Sequence, residues 1–227
     1  MNYVISDIHG CYKQYKELLE KISFSDEDTL YVLGDSVDRG PEPIKVLDDL
    51  MARKNVVYIV GNHDVNMLRV MKMKHKKKMS KDEQLEYQEW RSDGGMITEE
   101  WLLTLSEEHR QKIYEYLENA LLYEELVIEG KMFILVHAGI QNFNPEKKMN
   151  EYELYELVEG RTDYSKRYFS DENTYLVTGH TPTFFIRGYG KAEVYKKNGH
   201  IAVDCGCAYG GKLAAYCLET GEAFYVK

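Results

Sequence analysis

Five short clusters of aspartate, histidine, asparagine and glycine punctuate the chain. They are Asp7-Ile8-His9-Gly10, Gly34-Asp35-Ser36-Val37-Asp38-Arg39-Gly40, Gly61-Asn62-His63-Asp64, Val136-His137-Ala138-Gly139 and Gly179-His180-Thr181-Pro182. Each follows a short apolar run that reads as a β-strand. Asp7 and His9 stand two apart as the first strand ends, which points both side chains to one face, and Gly10 lets the chain turn away. Taken alone, each histidine reads as a hydrogen-bonded structural residue, and an aspartate after a strand reads as a helix N-cap, a role open to Asp64. Taken together they read as a site. The spacing Gly-Asp-x-x-Asp-Arg-Gly arises by chance in about one chain in ten thousand of this length, and His9, His63, His137 and His180 are four of only seven histidines.

The elements that must carry these clusters follow from hydrophobic patterning. Apolar runs at Tyr3 to Ile5, Leu30 to Leu33 and Val56 to Val60 alternate with helical patterns over Tyr12 to Ile22 and Pro43 to Ala52, a β-α-β-α-β order. Strands apolar on both faces and joined by crossovers imply a parallel sheet, with ligands gathered beyond its carboxyl ends. From about Met67 to Leu122 the chain turns helical, with a start signal at Ser80 and a break at Gly94-Gly95. Beyond it, Glu124 to Ile128 and Met132 to Val136 flank Glu129-Gly130-Lys131, and a strand is expected over Tyr175 to Thr178. Two further hairpins are expected: Ala192 to Tyr195 with His200 to Asp204 around Asn198-Gly199, and Leu213 to Leu218 with Ala223 to Val226 around Thr220-Gly221. The expected class is α/β, a two-sheet sandwich flanked by helices with an α-helical insertion after the third strand, as one domain over residues 1–227.

Composition bounds the function. With 227 residues and 44% hydrophobic content the chain can fill a core, and a net charge of −9 argues against non-specific binding to duplex nucleic acid. Cys11, Cys205, Cys207 and Cys217 are too few and too scattered for a disulfide framework, so a reducing compartment is expected. The N-terminus has no signal-peptide pattern, and apolar runs of about five residues fall short of the roughly 20 that span a bilayer. A soluble, cytoplasmic protein with no membrane partner is expected, and composition leaves its oligomeric state open.

On the five clusters, in this order, the sequence resembles the PPP-type, calcineurin-like metallophosphoesterases, which include serine/threonine protein phosphatases and symmetrical diadenosine tetraphosphatases. The resemblance runs from Asp7 to about Gly211. It implies two metal ions, one held by Asp7, His9 and Asp35 and the other by Asp35, Asn62, His137 and His180. Oxygen and imidazole donors without thiolate suit Mn²⁺, iron or Zn²⁺. It further implies hydrolysis by direct attack of a metal-bridging hydroxide on phosphorus. His63 would act as general acid with Asp38 orienting its ring, and Arg39 would grip phosphate oxygens in two-pronged fashion. A second arginine is expected between the late histidine motifs, with Arg161 ahead of Arg167. The main expectation is a phosphomonoesterase acting on phosphoserine, phosphothreonine or phosphotyrosine in proteins and peptides; the alternative is a symmetrical dinucleoside polyphosphate hydrolase. One departure is visible, because the third motif usually ends in Glu where this chain has Asp64; the shorter carboxylate is expected to change a contact with Arg39.

Other features carry less. Cys205-Gly206-Cys207 is read as buried packing, since one spacer is too short for a zinc knuckle. The run Lys72, Lys74, Lys76, Lys77, Lys78 and Lys81 is read as a solvated helix face, with steering of an anionic substrate as the sharper alternative. His75, His109 and His200 receive no role.

Overall fold

The computed structural model describes residues 1–74, 76 and 78–227; His75 and Lys77 lie outside the described residues. Strands β1 (Asn2–Ile5), β2 (Thr29–Leu33) and β3 (Val56–Ile59) run parallel, joined by helices α1 (Tyr12–Lys21) and α2 (Pro43–Met51). Period-2 alternation sorts their side chains. Tyr3, Ile5, Leu30 and Val32 pack under the helices, whereas Val4, Tyr31 and Leu33 face a second sheet. That sheet has β4 (Tyr123–Ile128), β5 (Lys131–Val136), β6 (Thr174–Thr178), β7 (Tyr195–Lys197) and β8 (His200–Ala202), in the order β4-β5-β6-β8-β7. Phe133, Leu135, Val177 and Ile201 supply its half of the apolar layer between the sheets. The outer face of the second sheet is covered by Ile140, Met149, Tyr152 and Leu157, the last from the short helix α7 (Leu154–Val158).

Two expectations change here. The C-terminal hairpin, β9 (Leu213–Cys217) and β10 (Ala223–Val226), leaves the β-rich half and crosses back to the first sheet, where β9 pairs antiparallel with β1 to give the order β10-β9-β1-β2-β3. Every β9 residue is buried, so it needs cover on both faces, and the β1 edge between helices and second sheet provides it. The strand expected over Ala192 to Tyr195 instead begins at Tyr195. Its hairpin turn at Asn198-Gly199 has positive φ at both residues, and that turn pairs Lys197 with His200 and so fixes the register.

The helical insertion begins at the end of β3, five residues earlier than expected. It comprises α3 (Asn62–Lys74), α4 (Lys81–Trp90), α5 (Met96–Thr104) and α6 (Glu107–Glu118). Ser80 caps α4 in a reciprocal box with Glu83. Between α4 and α5 the chain kinks at Asp93 and at Gly94, which adopts φ 103°. A Cβ there would lie 2.6 Å from the Arg39 side chain, so the kink sets this turn directly against the second motif.

Candidate metal centre and acid pair

All five motifs meet on one rim. The carboxyl ends of β1, β2 and β3 bring Asp7, His9, Asp35, Asn62 and His63 together, and those of β5 and β6 bring His137 and His180 from the second sheet. Backbone bonds lace the loops: the His9 amide donates to Asp35 O at 2.9 Å and the Gly179 amide to His137 O at 2.7 Å. Between the sheets, the His180 amide donates to Asp7 Oδ2 at 2.8 Å. Gly179 makes that approach possible, since a Cβ there would sit 2.4 Å from the same carboxylate oxygen. Asp7, His9, Asp35, Asp38, Arg39 and His180 all hold positive φ between 45° and 67°. Left-handed backbone in six non-glycine residues at one rim is strain held by its surroundings, of the kind concentrated at functional sites.

The donor set fits metal ions. His9 Nδ1–H donates to Val37 O at 2.8 Å and His137 Nδ1–H to Leu33 O at 2.6 Å, which fixes each tautomer and leaves each Nε2 with a lone pair. The His137 lone pair is turned on acceptors, while that of His9 accepts from Arg39 and stands near two carboxylates. His137 Nε2 lies 3.0 Å from Asn62 Oδ1 and 3.4 Å from Asp35 Oδ2, and His9 Nε2 lies 3.7 Å from the same Asp35 oxygen and 3.9 Å from Asp7 Oδ1. His180 Nδ1 stands 3.0 Å from Asn62 Oδ1. Acceptors turned on one another are satisfied by a cation between them. Asp35 belongs to both groups of ligand atoms, one with His9 and His63 and one with His137 and His180, each within 4.8 Å. The electrostatics agree: burial depresses His9 and His180 to about 3, which keeps both imidazoles neutral. Burial pushes the Asp35 carboxyl up, but the surrounding imidazoles outweigh it and hold it below the usual range.

His63 differs from His9 and His180. Burial lowers its pKa, but Asp35 and the hydrogen bond and charge of Asp38 outweigh both burial and Arg39 and raise it to about 9. His63 Nδ1–H donates to Asp38 Oδ2 at 2.7 Å. Imidazoles driven in opposite directions within one site are suited to different tasks, ligands on one side and a proton donor on the other.

The insertion completes this pair. Trp90 Nε1–H donates to Asp38 Oδ2 at 3.0 Å and the Thr98 hydroxyl to Asp38 Oδ1 at 2.7 Å, so three donors converge on a fully buried carboxylate. Arg39 donates Nη1–H to His9 Nε2 at 2.8 Å, its Nη2 stands 2.8 Å from His63 Nε2, it contacts Asp93 at 3.1 Å, and it lies 5.1 Å from the centre of the Tyr209 ring. Trp90, Asp93, Thr98 and Tyr209 belong to no motif, and the one sequence signal near the first three was the Gly94-Gly95 break. Asp204 was also missed. It follows β8 on the same rim, and burial beside Asp7 and Asp35 pushes it well above the usual carboxylate range.

Asp64 corrects one expectation. It makes no contact with Arg39; its Oδ2 accepts from the Gly61 amide at 3.0 Å, the Asp35 amide at 2.9 Å and the Tyr58 hydroxyl at 2.9 Å. At the third position of α3 the short side chain folds back over the helix start, toward β3 and away from the guanidinium. Of the two late arginines, Arg161 donates to Thr181 Oγ1 at 2.9 Å, next to His180, while Arg167 is committed to the carbonyls of Asp171 and Thr174 at the far end of β6. Cys205 is buried, and Cys207 packs against the helix-covered core. Lys72, Lys74 and Lys76 pair with Glu118, Glu99 and Glu83, as a solvated face would. His109 pairs with Asp48 on α2, and His200 bonds Lys166 O.

A family model described as calcineurin-like phosphoesterase matches residues 3–213. The chain belongs to the calcineurin-like phosphoesterase family. It is a metal-dependent phosphoesterase with the family's dinuclear type of metal centre. It is 31% identical to a bis(5′-nucleosyl)-tetraphosphatase PrpE [asymmetrical] of Geobacillus thermodenitrificans, over 93% of this chain and 88% of the relative. A protein of the same description from Oceanobacillus iheyensis is 30% identical over 96% and 89%. A symmetrical bis(5′-nucleosyl)-tetraphosphatase of Buchnera aphidicola is 53% identical, but over only 30% of this chain and 26% of its own length. Solved structures share the calcineurin-like fold. One assigned provisionally as a diadenosine tetraphosphatase superposes with a TM-score of 0.67 at 22% identity, covering 99% of this chain and 92% of its own. A serine/threonine phosphatase of Saccharomyces cerevisiae gives 0.59 at 14% identity, covering 100% and 80%. No helix among the described residues is long and apolar enough to cross a membrane.

Proposed function

We propose that this phosphoesterase hydrolyses bis(5′-nucleosyl) tetraphosphates, by asymmetrical cleavage. The observation that carries the reading is the extent of likeness: the asymmetrical tetraphosphatases match along nearly the whole chain. Likeness to protein phosphatases is one of fold alone. The dinucleotide reading therefore displaces action on phosphoproteins as the main expectation.

In this reading Asp7, His9 and Asp35 hold one metal ion and Asp35, Asn62, His137 and His180 the other. The bound pair supplies the activated water and neutralises charge on the phosphate oxygens. The remaining steps fall to the chain. Arg39 moves from the two imidazoles onto phosphate oxygens, for which its planar fork is matched. Arg161 approaches from the second sheet. His63 then gives its proton to the leaving oxygen, with Asp38 fixing the ring and stabilising its charged form.

The test is a side-by-side turnover comparison of diadenosine tetraphosphate, a phosphoserine peptide and p-nitrophenyl phosphate on Mn²⁺-loaded protein, with products separated by chromatography. ATP plus AMP, formed with the highest kcat/KM of the three, is expected. A higher kcat/KM on the peptide overturns the reading, and two ADP overturn its asymmetry.

A further inference from the structure

A cavity of about 490 Å³ opens beside the rim, between the loop after α7 and the β7–β8 hairpin. Its wall includes Arg161 and Thr181, and the bond between these two ties it to the residue following His180. We propose that this cavity is the subsite for the nucleoside triphosphate arm of the substrate, with Arg161, Arg187 and Lys197 on the phosphates and Phe185 against the base. The proposal rests on the dinucleotide reading and names where one half of that substrate sits.

Charge comes first. In a chain of net charge −9, three cations share this one concave wall. Among the described residues Arg161, Arg187 and Lys197 form no ion pair, so their charge is free for an incoming anion. The carboxylate in the lining, Asp163, is already engaged by the Ser165 amide and hydroxyl and by Lys166. Unneutralised cations in a concave wall focus a positive potential and draw in a polyanion. Two of the three are arginines, whose planar fork matches a pair of phosphate oxygens.

The wall also offers an aromatic face. Phe185 is 68% exposed, an unusual state for the most apolar of the aromatic side chains, and Phe184 braces it edge-on at 4.6 Å. A held, exposed ring beside phosphate-binding cations is a stacking platform for a base. A volume of this size lies in the range of ligand sites. Three cations and one ring within it match a run of phosphates ending in a planar base. A phosphopeptide brings a single dianion, for which Arg39 and the metal centre already suffice. A larger cavity of about 1000 Å³, between α2, β3 and α6, is lined largely by apolar residues and lies away from the rim.

Direct binding tests this apart from turnover. On the Mn²⁺-loaded full chain, the affinity of a non-hydrolysable ATP analogue, measured by calorimetry, is expected to fall about tenfold or more in Arg187→Ala/Lys197→Ala, the scale of losing charge-assisted hydrogen bonds. Phe185→Ala is expected to weaken the analogue about tenfold more than it weakens inorganic tripolyphosphate. Arg187→Lys should recover only part of the loss. Unaltered affinity for the analogue in the double variant overturns the subsite, and so does a loss confined to a phosphoserine peptide. If wild type binds the analogue through these residues yet leaves diadenosine tetraphosphate intact, the subsite stands and the cleavage reading fails.

Discussion

The strand-end rim and the helical insertion reach the same imidazole by different means. On the rim, His63 belongs to a motif whose neighbours are fixed by parallel strands, left-handed residues and backbone hydrogen bonds between adjacent loops. The insertion touches His63 mainly at one remove: Trp90 and Thr98 hold Asp38, and Asp38 holds the ring. In the proposed reading the rim supplies the metal ligands, whose identity cannot change without changing the chemistry. The insertion supplies poise, through side chains that ordinary helices carry into place. A family can thus keep its rim while varying the segment that tunes its proton donor.

The largest effect should come from breaking the rim. Asp35→Asn removes the carboxylate common to both ligand groups. Turnover is expected to fall by well over the roughly 10–100-fold that loss of a ligand's hydrogen-bond partner costs, with elemental analysis showing less than two Mn²⁺ per chain. Full metal content with near-normal turnover would deny Asp35 its bridging position. Next comes the imidazole shared by both regions. His63→Asn should cost about 10² to 10⁴ on an alkyl phosphate, whose leaving group needs a proton, and much less on p-nitrophenyl phosphate, with metal retained. Equal losses on both substrates would make His63 a positioning group.

Smaller effects isolate the insertion. Thr98→Val should lower kcat about tenfold with both metals bound, in the range for residues that orient a working group. Asp38→Asn should also change the pH profile. In the proposed mechanism His63 acts when protonated, so kcat/KM falls as pH rises through its pKa; Asp38 raises that pKa, and its loss should move the falling limb to lower pH. An unmoved limb would detach Asp38 from the proton. Smallest in activity is Glu99→Gln. Burial pushes Glu99 up, but Lys74, Tyr87 and Arg91 outweigh it and hold it below the ordinary carboxyl value, joining α3, α4 and α5. A carboxylate depressed in the fold contributes stability above its unfolded pKa of about 4.3 and loses it as pH falls through the folded value. The variant's melting temperature should therefore change less than wild type's as pH is lowered through and below that range.

The rim was legible because its signals are local and repeated: five motifs, each at the carboxyl end of an apolar run. Hairpins were legible for the same reason, as Asn198-Gly199 and Glu129-Gly130 carry positive φ at both turn residues. Which sheet a hairpin joins is not local, and β9–β10 escaped for that reason. Trp90 and Thr98 escaped because their bonds to Asp38 span 52 and 60 residues, and neither residue type announces such a bond. Asp64 was seen as a departure from the family motif, but its partner Tyr58 lies on β3, where periodicity reports burial and says nothing of a hydroxyl.

The bond from the His180 amide to Asp7 is the seam along which the two halves of the sandwich are sewn at the rim. In the proposed reading neither half owns a complete ligand set: the segments following β1, β2 and β3 bring one share, and the loops after β5 and β6 bring the other. Metal bound there would act as a rivet, whose free energy of binding is also free energy of holding the sheets together. At a hundredfold excess over its dissociation constant, a ligand that binds only the folded chain adds about 2.7 kcal/mol to stability. A chelator therefore does more than silence the site, because it withdraws the fastening between the two sheets.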